Sequence, residues 1–123
     1  MSDNNIISGA DGVVYVNMEE GLKRVVNNNK LYVKLLNKFK VDTNSAELLT
    51  TVQAGEYEKA QVMAHTIKGI AANLSLTELF KQSLELETQI KNRAVSPGIQ
   101  ESFKACFNET LTAIDKVIEQ YGG

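Results

Sequence analysis

The residue best suited to carry out chemistry in this sequence is its single histidine, His65, which lies in a segment predicted to be helical. Residues 56–74 carry apolar side chains three and four positions apart, the spacing typical of an amphipathic helix. Because a helix advances roughly 100° per residue, His65 points about 140° away from the start of the apolar stripe. We therefore expect its imidazole on the exposed side of the helix, available as a nucleophile or a general base. The stripe contains Ala60, Ala64, Ile67, Ala71 and Leu74.

Small and apolar residues surround His65 on the exposed face, where a solvated helix normally carries charged side chains. Val62, Gly69 and Ala72 share this face, and Lys68 lies at its edge. Gly69 costs the helix roughly 1 kcal/mol relative to alanine, and it clears the space one turn from the imidazole. This pattern indicates a surface on which a partner docks, with Val62 and Ala72 in the docking surface. The alternative is an ordinary surface histidine beside a tolerated glycine, which position alone favours because such short motifs often occur by chance.

The composition excludes several classes of functional site. The chain has 123 residues, enough for one domain, and carries 13 lysines and arginines against 15 aspartates and glutamates, a net charge of −2. This balance argues against a dedicated nucleic-acid binder, which normally shows a basic stripe. One cysteine and one histidine exclude an internal disulfide framework and zinc sites built from several such residues. No membrane span or signal peptide is recognisable, so we expect a cytoplasmic protein without a membrane partner.

Two regions are predicted along the chain. Residues 1–12 are polar and small and are expected to form a flexible tail, and residues 13–121 are expected to form the folded domain. Residues 13–16 have the composition of a strand, but no second strand is recognisable in the sequence. We therefore expect this segment to be extended, unpaired and packed on the helices.

A short helix is predicted next, followed by a longer helical stretch. Asn17 with Glu20 three residues later forms a capping-box pattern, which predicts a helix to about Val26. Apolar residues then recur at helical spacing through residues 30–54, which form either one kinked helix or two. The lysines and glutamates of residues 19–40 are expected on a solvated face.

A tight corner is predicted at the end of the helix that carries His65. Ser75 with Glu78 three residues later is a second capping-box pattern, and Leu74 and Leu79 have the spacing of a hydrophobic staple. Ser75 is therefore expected to be the N-cap of a helix that follows immediately, which makes the two helices antiparallel neighbours.

The last helix is predicted to begin at Ser96 and Pro97, which have the residue types of an N-cap and of a first helical position. Its apolar stripe continues to Tyr121 and includes Cys106, which is expected to be a buried thiol. Four long amphipathic stretches joined by short links predict an all-α fold, an antiparallel up-and-down four-helix bundle with a short N-terminal capping helix.

Residues 64–74, AHTIKGIAANL, closely resemble the active-site helix of histidine phosphotransfer (HPt) domains, whose pattern is approximately A-H-x-L-K-G-x-A-x-x-L-G. The resemblance extends over about residues 13–120, and the length of the chain fits a free-standing member of that family. One departure is visible, because this chain has Ser75 where the family usually has glycine.

The resemblance implies a phosphoryl carrier in a phosphorelay, without an ATP site of its own and therefore not an enzyme. His65 would accept a phosphoryl group from the aspartyl phosphate of one receiver domain, in a response regulator or a hybrid kinase, and pass it to another. Lys68 would stabilise the charge of the phosphoryl oxygens, and Gly69 would leave room for their approach. Mg²⁺ and the acceptor aspartate would belong to the partner, so no cofactor or metal site is expected in this chain. A monomer is the simplest state.

Glu87 is a further candidate, which the corner geometry brings toward His65. With the corner near residue 75, positions that face each other across the two helices sum to roughly 150, which places residues 84–87 opposite His65. Glu87 could accept a hydrogen bond from one ring nitrogen and leave the other free to react. Alternatively, Glu87 forms an ion pair with Lys91 four residues later, and the sequence favours neither possibility.

Two other functions stay open at this point. A helical interaction module without phosphotransfer would not need a reactive histidine, and the presence of His65, Lys68 and Gly69 argues against it. A hydrolase or isomerase could use His65 as general base, but no serine–aspartate pair or cysteine lies at helical reach, and a simple bundle offers no closed pocket.

Overall fold

The computed structural model describes residues 6–8, 14–25, 28–42 and 45–121, and helices dominate this part of the chain, as the sequence predicted. None of these helices is long and apolar enough to cross a membrane. The described elements, in chain order, are β1 (Ile6–Ser8), β2 (Val14–Asn17), α1 (Met18–Arg24), α2 (Asn29–Asp42), α3 (Ser45–Gln53), α4 (Tyr57–Leu74), α5 (Thr77–Lys91) and α6 (Pro97–Tyr121).

The stretch that the sequence left open, residues 30–54, contains two helices. α2 ends at Asp42 and α3 begins at Ser45. The turn from α3 into α4 passes through Gly55, whose φ of 77° lies in the left-handed region that glycine adopts without steric cost. α3 is therefore a separate element, and it packs against α4.

A two-stranded antiparallel sheet precedes the helices. β2 pairs with β1, with Ile7 opposite Val16 and an irregular register after Ile7. The expectation that residues 13–16 are unpaired is wrong, because the three-residue partner strand is too short to show an alternating pattern in the sequence. β2 packs against α5 and α6, and its Tyr15 and Val16 side chains are buried. Apart from β1, the predicted tail of residues 1–12 lies outside the described residues.

The core lies among α2, α3, α4, α5 and α6, and β2 adds Tyr15 and Val16 to it. α5 packs against both α4 and α6, and α2 packs against α6 through aromatic rings. Phe107 of α6 contacts two other phenylalanine rings. Its ring centroid lies 5.7 Å from that of Phe39 on α2 and 6.1 Å from that of Phe103 on α6. Cys106 is buried in the same stripe, as predicted, and burial raises the pKa of its thiol to about 12.

α1 begins at the predicted N-cap. The backbone N–H of Glu20 donates to Asn17 Oδ1 at 3.1 Å, which confirms the role of Asn17. In a complete capping box the Glu20 carboxylate would accept a hydrogen bond from the Asn17 N–H. Here both groups contact the α4–α5 corner instead. The Glu20 carboxylate accepts a hydrogen bond from the Ser75 hydroxyl at 2.8 Å, and the Asn17 N–H donates to Ser75 O at 2.9 Å.

The α4–α5 corner differs from the prediction by one residue. Ser75 is not the N-cap of α5; it ends α4 in the left-handed conformation, with φ 56° and ψ 42°, and Leu76 is the N-cap of α5. The N–H of Leu76 donates to Ala71 O at 2.8 Å and the N–H of Ser75 to Ala72 O at 3.4 Å, the pattern of a Schellman motif. With Leu76 as the N-cap, the N′ and N4 positions are Ser75 and Phe80, so the prediction of a hydrophobic staple between Leu74 and Leu79 is wrong. Glycine, which the resembling sequence pattern has at this position, has the conformational freedom that such a turn requires.

Side chains from α1 hold Ser75 in its left-handed conformation. The Ser75 hydroxyl donates to Glu20 Oε1 and accepts a hydrogen bond from the Arg24 guanidinium. Glu20 and Arg24 also form an ion pair one helical turn apart, with 3.4 Å between the charged atoms. The buried serine is therefore tied to two charged side chains of a different helix.

Tyr32 of α2 also hydrogen-bonds to the α4–α5 corner. The Tyr32 hydroxyl donates to Leu74 O at 2.6 Å, and burial raises the pKa of this hydroxyl. A Cβ atom at Gly21 would lie 2.5 Å from the Tyr32 ring, so glycine is needed there for α1 to approach α2 this closely. α1 and α2 thus both contact the corner that sets the register between α4 and α5.

Replacement of Ser75 with alanine should destabilise the protein more than replacement with glycine. Both variants lose the hydroxyl, but alanine retains the cost of a left-handed residue, roughly 1–2 kcal/mol. We expect Ser75→Gly to be about 1 kcal/mol more stable than Ser75→Ala in urea unfolding. Equal stabilities of the two variants would show that the left-handed conformation carries no cost at this corner.

Candidate functional site

α4 presents His65 on its exposed side, as the helical periodicity predicted. The His65 side chain is 68% exposed and lies near the middle of the helix. The ring therefore projects from the surface of the bundle while the opposite face of α4 anchors the helix. The buried residues of α4 are Ala60, Ala64, Ile67, Ala71 and Leu74.

The Glu87 carboxylate on α5 joins His65 to Lys68. Glu87 Oε2 lies 3.0 Å from His65 Nδ1, and Glu87 Oε1 lies 2.7 Å from Lys68 Nζ. The alternative partner, Lys91, is exposed and forms no ion pair within the described part of the chain. Of the two contacts that the sequence left open for Glu87, the one with His65 is formed.

Glu87 is ionised at neutral pH although only 14% of its side chain is exposed. Burial raises the pKa of the Glu87 carboxyl. Hydrogen bonds from Lys68 and His65 and the charges of both residues lower this pKa by more than burial raises it, so it lies below its usual range. An ionised carboxylate only accepts hydrogen bonds. In a neutral His65 ring, the proton is therefore assigned to Nδ1, where it is donated to Glu87.

The second ring nitrogen of His65, Nε2, carries the lone pair that can react. It has no hydrogen-bond partner among the described residues, and the exposed side chain leaves it accessible to solvent. In the Nδ1–H tautomer, Nε2 is the basic and nucleophilic nitrogen. The site can therefore form a bond from Nε2 to an electrophile that approaches from solvent, while Glu87 stabilises the positive charge that the ring gains.

Lys68 is held beside the imidazole by the same carboxylate. Its side chain is 21% exposed, so most of its stem is covered while its ammonium group contacts Glu87. The sequence placed Lys68 at the edge of the site but did not predict this ion pair. An ammonium group has three N–H donors, so one can bind Glu87 while the others turn toward an anion at the ring.

The described residues around His65 do not form a metal site. Within the ranges that the structure describes, no group of three or more His, Cys, Asp or Glu side chains is placed to hold a metal ion. His65 has one carboxylate neighbour, Glu87, and that carboxylate is shared with the ammonium group of Lys68.

The surface of α4 beside His65 is open and mildly apolar. No atom lies within 4 Å of the position that a Cβ of Gly69 would occupy, and Gly69 is exposed. Val62 is 66% exposed, and Ala72 is half-buried. The roles of Gly69 in clearance and of Val62 and Ala72 in docking stay predictions.

α5 adds an exposed leucine, Leu84, which the sequence reasoning overlooked. Leu84 is 45% exposed and lies three residues before Glu87, on the same side of α5. Leu84 points about 140° away from Leu79 in the buried stripe of α5. The same offset predicted the exposed position of His65, so the sequence could also have predicted the exposure of Leu84. The buried residues of α5 are Leu79, Ser83, Leu86 and Ile90.

The candidate site lies within a recognised protein domain. The family model described as the Hpt domain matches residues 34–120, which is more than half of the chain. The matched region contains α4, α5 and every candidate site residue between positions 62 and 87. A search of curated proteins found no match, and a search of solved structures found none.

The contact between Glu87 and His65 predicts the tautomer of the imidazole. Glu87→Ala should shift the neutral ring from the Nδ1–H form toward the Nε2–H form, because no carboxylate then holds the proton on Nδ1. His65 is the only histidine, so ¹⁵N NMR of the imidazole reads the tautomer from a single ring. Glu85→Ala, which removes a neighbouring carboxylate bound to Gln89, is the matched control and should leave the tautomer unchanged. A parent ring that is mainly Nε2–H would contradict the assignment.

Proposed function

Because the chain belongs to the Hpt domain family, we propose that it is a phosphorelay carrier in which His65 receives a phosphoryl group from the aspartyl phosphate of one receiver domain and delivers it to another. Hpt domains act in histidine phosphotransfer, interact with receiver domains of response regulators and are phosphocarriers, not catalysts in themselves. The exposed Nε2 of His65, in a ring that Glu87 holds from the other side, is the observation that carries this proposal.

The transfer step uses the two ring nitrogens of His65 differently. The lone pair of Nε2 attacks phosphorus while the bond between phosphorus and the aspartyl oxygen breaks, and the electron pair of that bond leaves with the receiver's carboxylate. Nδ1 keeps its proton, and the positive charge that the ring gains is stabilised by the Glu87 carboxylate 3.0 Å away. Delivery to a second receiver reverses these movements. Phosphoryl transfer depends mainly on in-line positioning and charge stabilisation, which an exposed and oriented ring supports.

Lys68 supplies positive charge beside the incoming phosphoryl group. Its ammonium group lies 2.7 Å from the same carboxylate that binds the ring, so the cation and the nucleophile are neighbours. The N–H donors that do not bind Glu87 are available to the phosphoryl oxygens, whose negative charge is largest as the group transfers. Glu87 thus orients both the His65 ring and the Lys68 ammonium group.

The receiver docks on the open surface around His65. Val62 and Leu84 offer exposed apolar side chains on the two helices of the site, and Gly69 and Ala72 are small residues on the face of α4 that carries His65. A small and mildly apolar surface suits a transient partner, because a carrier must release each receiver after transfer.

The remaining expectations from the sequence complete the proposal. Mg²⁺ and the acceptor aspartate belong to the receiver, so the chain needs no ATP site, cofactor or metal of its own. The carrier works as a cytoplasmic monomer. α2, α4, α5 and α6 form an antiparallel up-and-down bundle with α1 as its capping helix. The short α4–α5 link and the packing of α5 between α4 and α6 support this arrangement.

His65→Gln should abolish phosphoryl acceptance while the fold stays intact. The ring is exposed, and its one described side-chain partner, Glu87, keeps Lys68 after the change, so little packing is lost. The test incubates parent and variant with the same phosphorylated receiver domain and measures protein-bound phosphate that is labile in acid and stable in base, with thermal unfolding as the control for folding. Phosphate on the glutamine variant would contradict the proposal. A parent that accepts no phosphate from any receiver would favour the phosphotransfer-inactive interaction module.

Gly69→Gln should keep or raise the stability of the fold while it slows phosphoryl transfer. The position of a Cβ is free of contacts, and glutamine has the higher helix propensity, so stability should hold or rise by up to about 1 kcal/mol. The new side chain stands one turn from His65 in the approach path of the phosphoryl group, so transfer should slow. Gly69→Ala is the matched control, because it also raises helix propensity but adds only a methyl group and should keep most of the transfer rate. A glutamine variant that transfers at the parental rate would show that Gly69 clears no approach path.

A further inference from the structure

A row of three lysines occupies the exposed side of α2. Lys30, Lys34 and Lys38 follow one another four residues apart, which places successive side chains about 5–6 Å apart along one side of the helix. All three are exposed. No acidic residue occurs in residues 29–41, so this side of α2 carries positive charge alone.

The lysine row has no ion-pair partner within the described ranges. Other basic side chains do pair, since Lys40 binds Asp115 of α6 and Lys68 binds Glu87. Like charges four residues apart destabilise a helix by roughly 0.2–0.5 kcal/mol per pair. The charges of the row therefore repel one another, and they face solvent.

Two exposed apolar side chains lie at the ends of the lysine row. Val41, three residues after Lys38, is 81% exposed, and Leu31, next to Lys30, is 40% exposed. Their side chains can make short-range contacts once opposite charge has brought a partner close. The exposed side of α2 can thus attract a partner at long range by charge and contact it at short range through apolar side chains.

α2 lies beside the helix that carries His65. It packs against α4 and α6, whereas the contact between His65 and Glu87 spans α4 and α5. Axes of packed helices lie about 8–10 Å apart, and the Debye length is about 10 Å in 0.1 M salt. The row faces away from the packed side of α2, so its field acts on the part of a partner that extends from α4 over α2, within about one Debye length of the lysines.

We propose that the lysine row attracts and orients the acidic surface of a receiver domain as it approaches His65. This inference rests on the proposed function, because a receiver must bring the carboxylates that bind Mg²⁺, the acceptor aspartate and, when loaded, the negative charge of the phosphoryl group. These groups are complementary in charge to the row. A carrier that exchanges partners benefits from fast encounter more than from tight binding. Nucleic acid fits less well, because the chain has a net charge of −2 and the row contains neither arginine nor an aromatic side chain.

The test removes the charge of the row and measures encounter separately from chemistry. The triple variant Lys30→Gln, Lys34→Gln, Lys38→Gln and the parent are each mixed in a stopped-flow instrument with a Mg²⁺-loaded, phosphorylated receiver domain that transfers to the parent. We expect the association rate constant of the variant to fall about tenfold at low salt. In about 1 M salt, where the Debye length is about 3 Å, the two rates should converge. The kcat of transfer should stay at the parental value while KM rises.

A matched control separates the field of the row from the overall charge of the protein. The variant Lys23→Gln, Lys104→Gln, Lys116→Gln removes the same number of charges from exposed positions on α1 and α6, neither of which carries a candidate site residue, and it should keep the parental association rate. Glutamine is a good helix former, and circular dichroism checks the fold of both variants. No loss in the row variant, an equal loss in the control or a loss that persists in high salt overturns steering by the row and leaves phosphotransfer intact. Failure of every receiver to transfer to the parent overturns both.

Discussion

The register between α4 and α5 is set at the left-handed corner, and the candidate site depends on that register. A slip of one residue in a helix turns its side chains by roughly 100°, which would carry Glu87 away from His65. Ser75 adopts the conformation that closes this corner, and contacts from α1 and from Tyr32 of α2 hold it there. The N-terminal helices are far from the imidazole along the chain, yet they hydrogen-bond to the corner on which its contact with α5 depends.

Glu87 concentrates the chemistry of the site in one carboxylate. It uses one oxygen for His65 and the other for Lys68, so the positions of the nucleophile and of the cation are fixed relative to each other. Its low exposure strengthens both contacts, because little water competes for the carboxylate. An exposed carboxylate on a flexible side chain would hold neither partner as well, since surface ion pairs contribute little.

Helical periodicity predicted the exposed position of His65 and the buried stripes, because these depend on residues within one helix. The same signal was present for Leu84 and was overlooked. The corner could not be predicted in this way, since Ser75 has a residue type that suits an N-cap as well as a turn. Its conformation is supported by Glu20, 55 positions away, and sequence spacing does not show such a contact. The choice of Glu87 between Lys91 and His65 likewise depended on how closely α5 packs on α4.

The ion pair between Lys68 and Glu87 places one positive and one negative group beside the ring, so the pair itself adds no net charge to the empty site. A phosphoryl group on Nε2 would add up to about two negative charges at this surface, only partly offset by the protonated ring. Empty and loaded forms would then differ in electrostatic potential while the helices keep the same positions. A partner could therefore distinguish the two forms by charge alone.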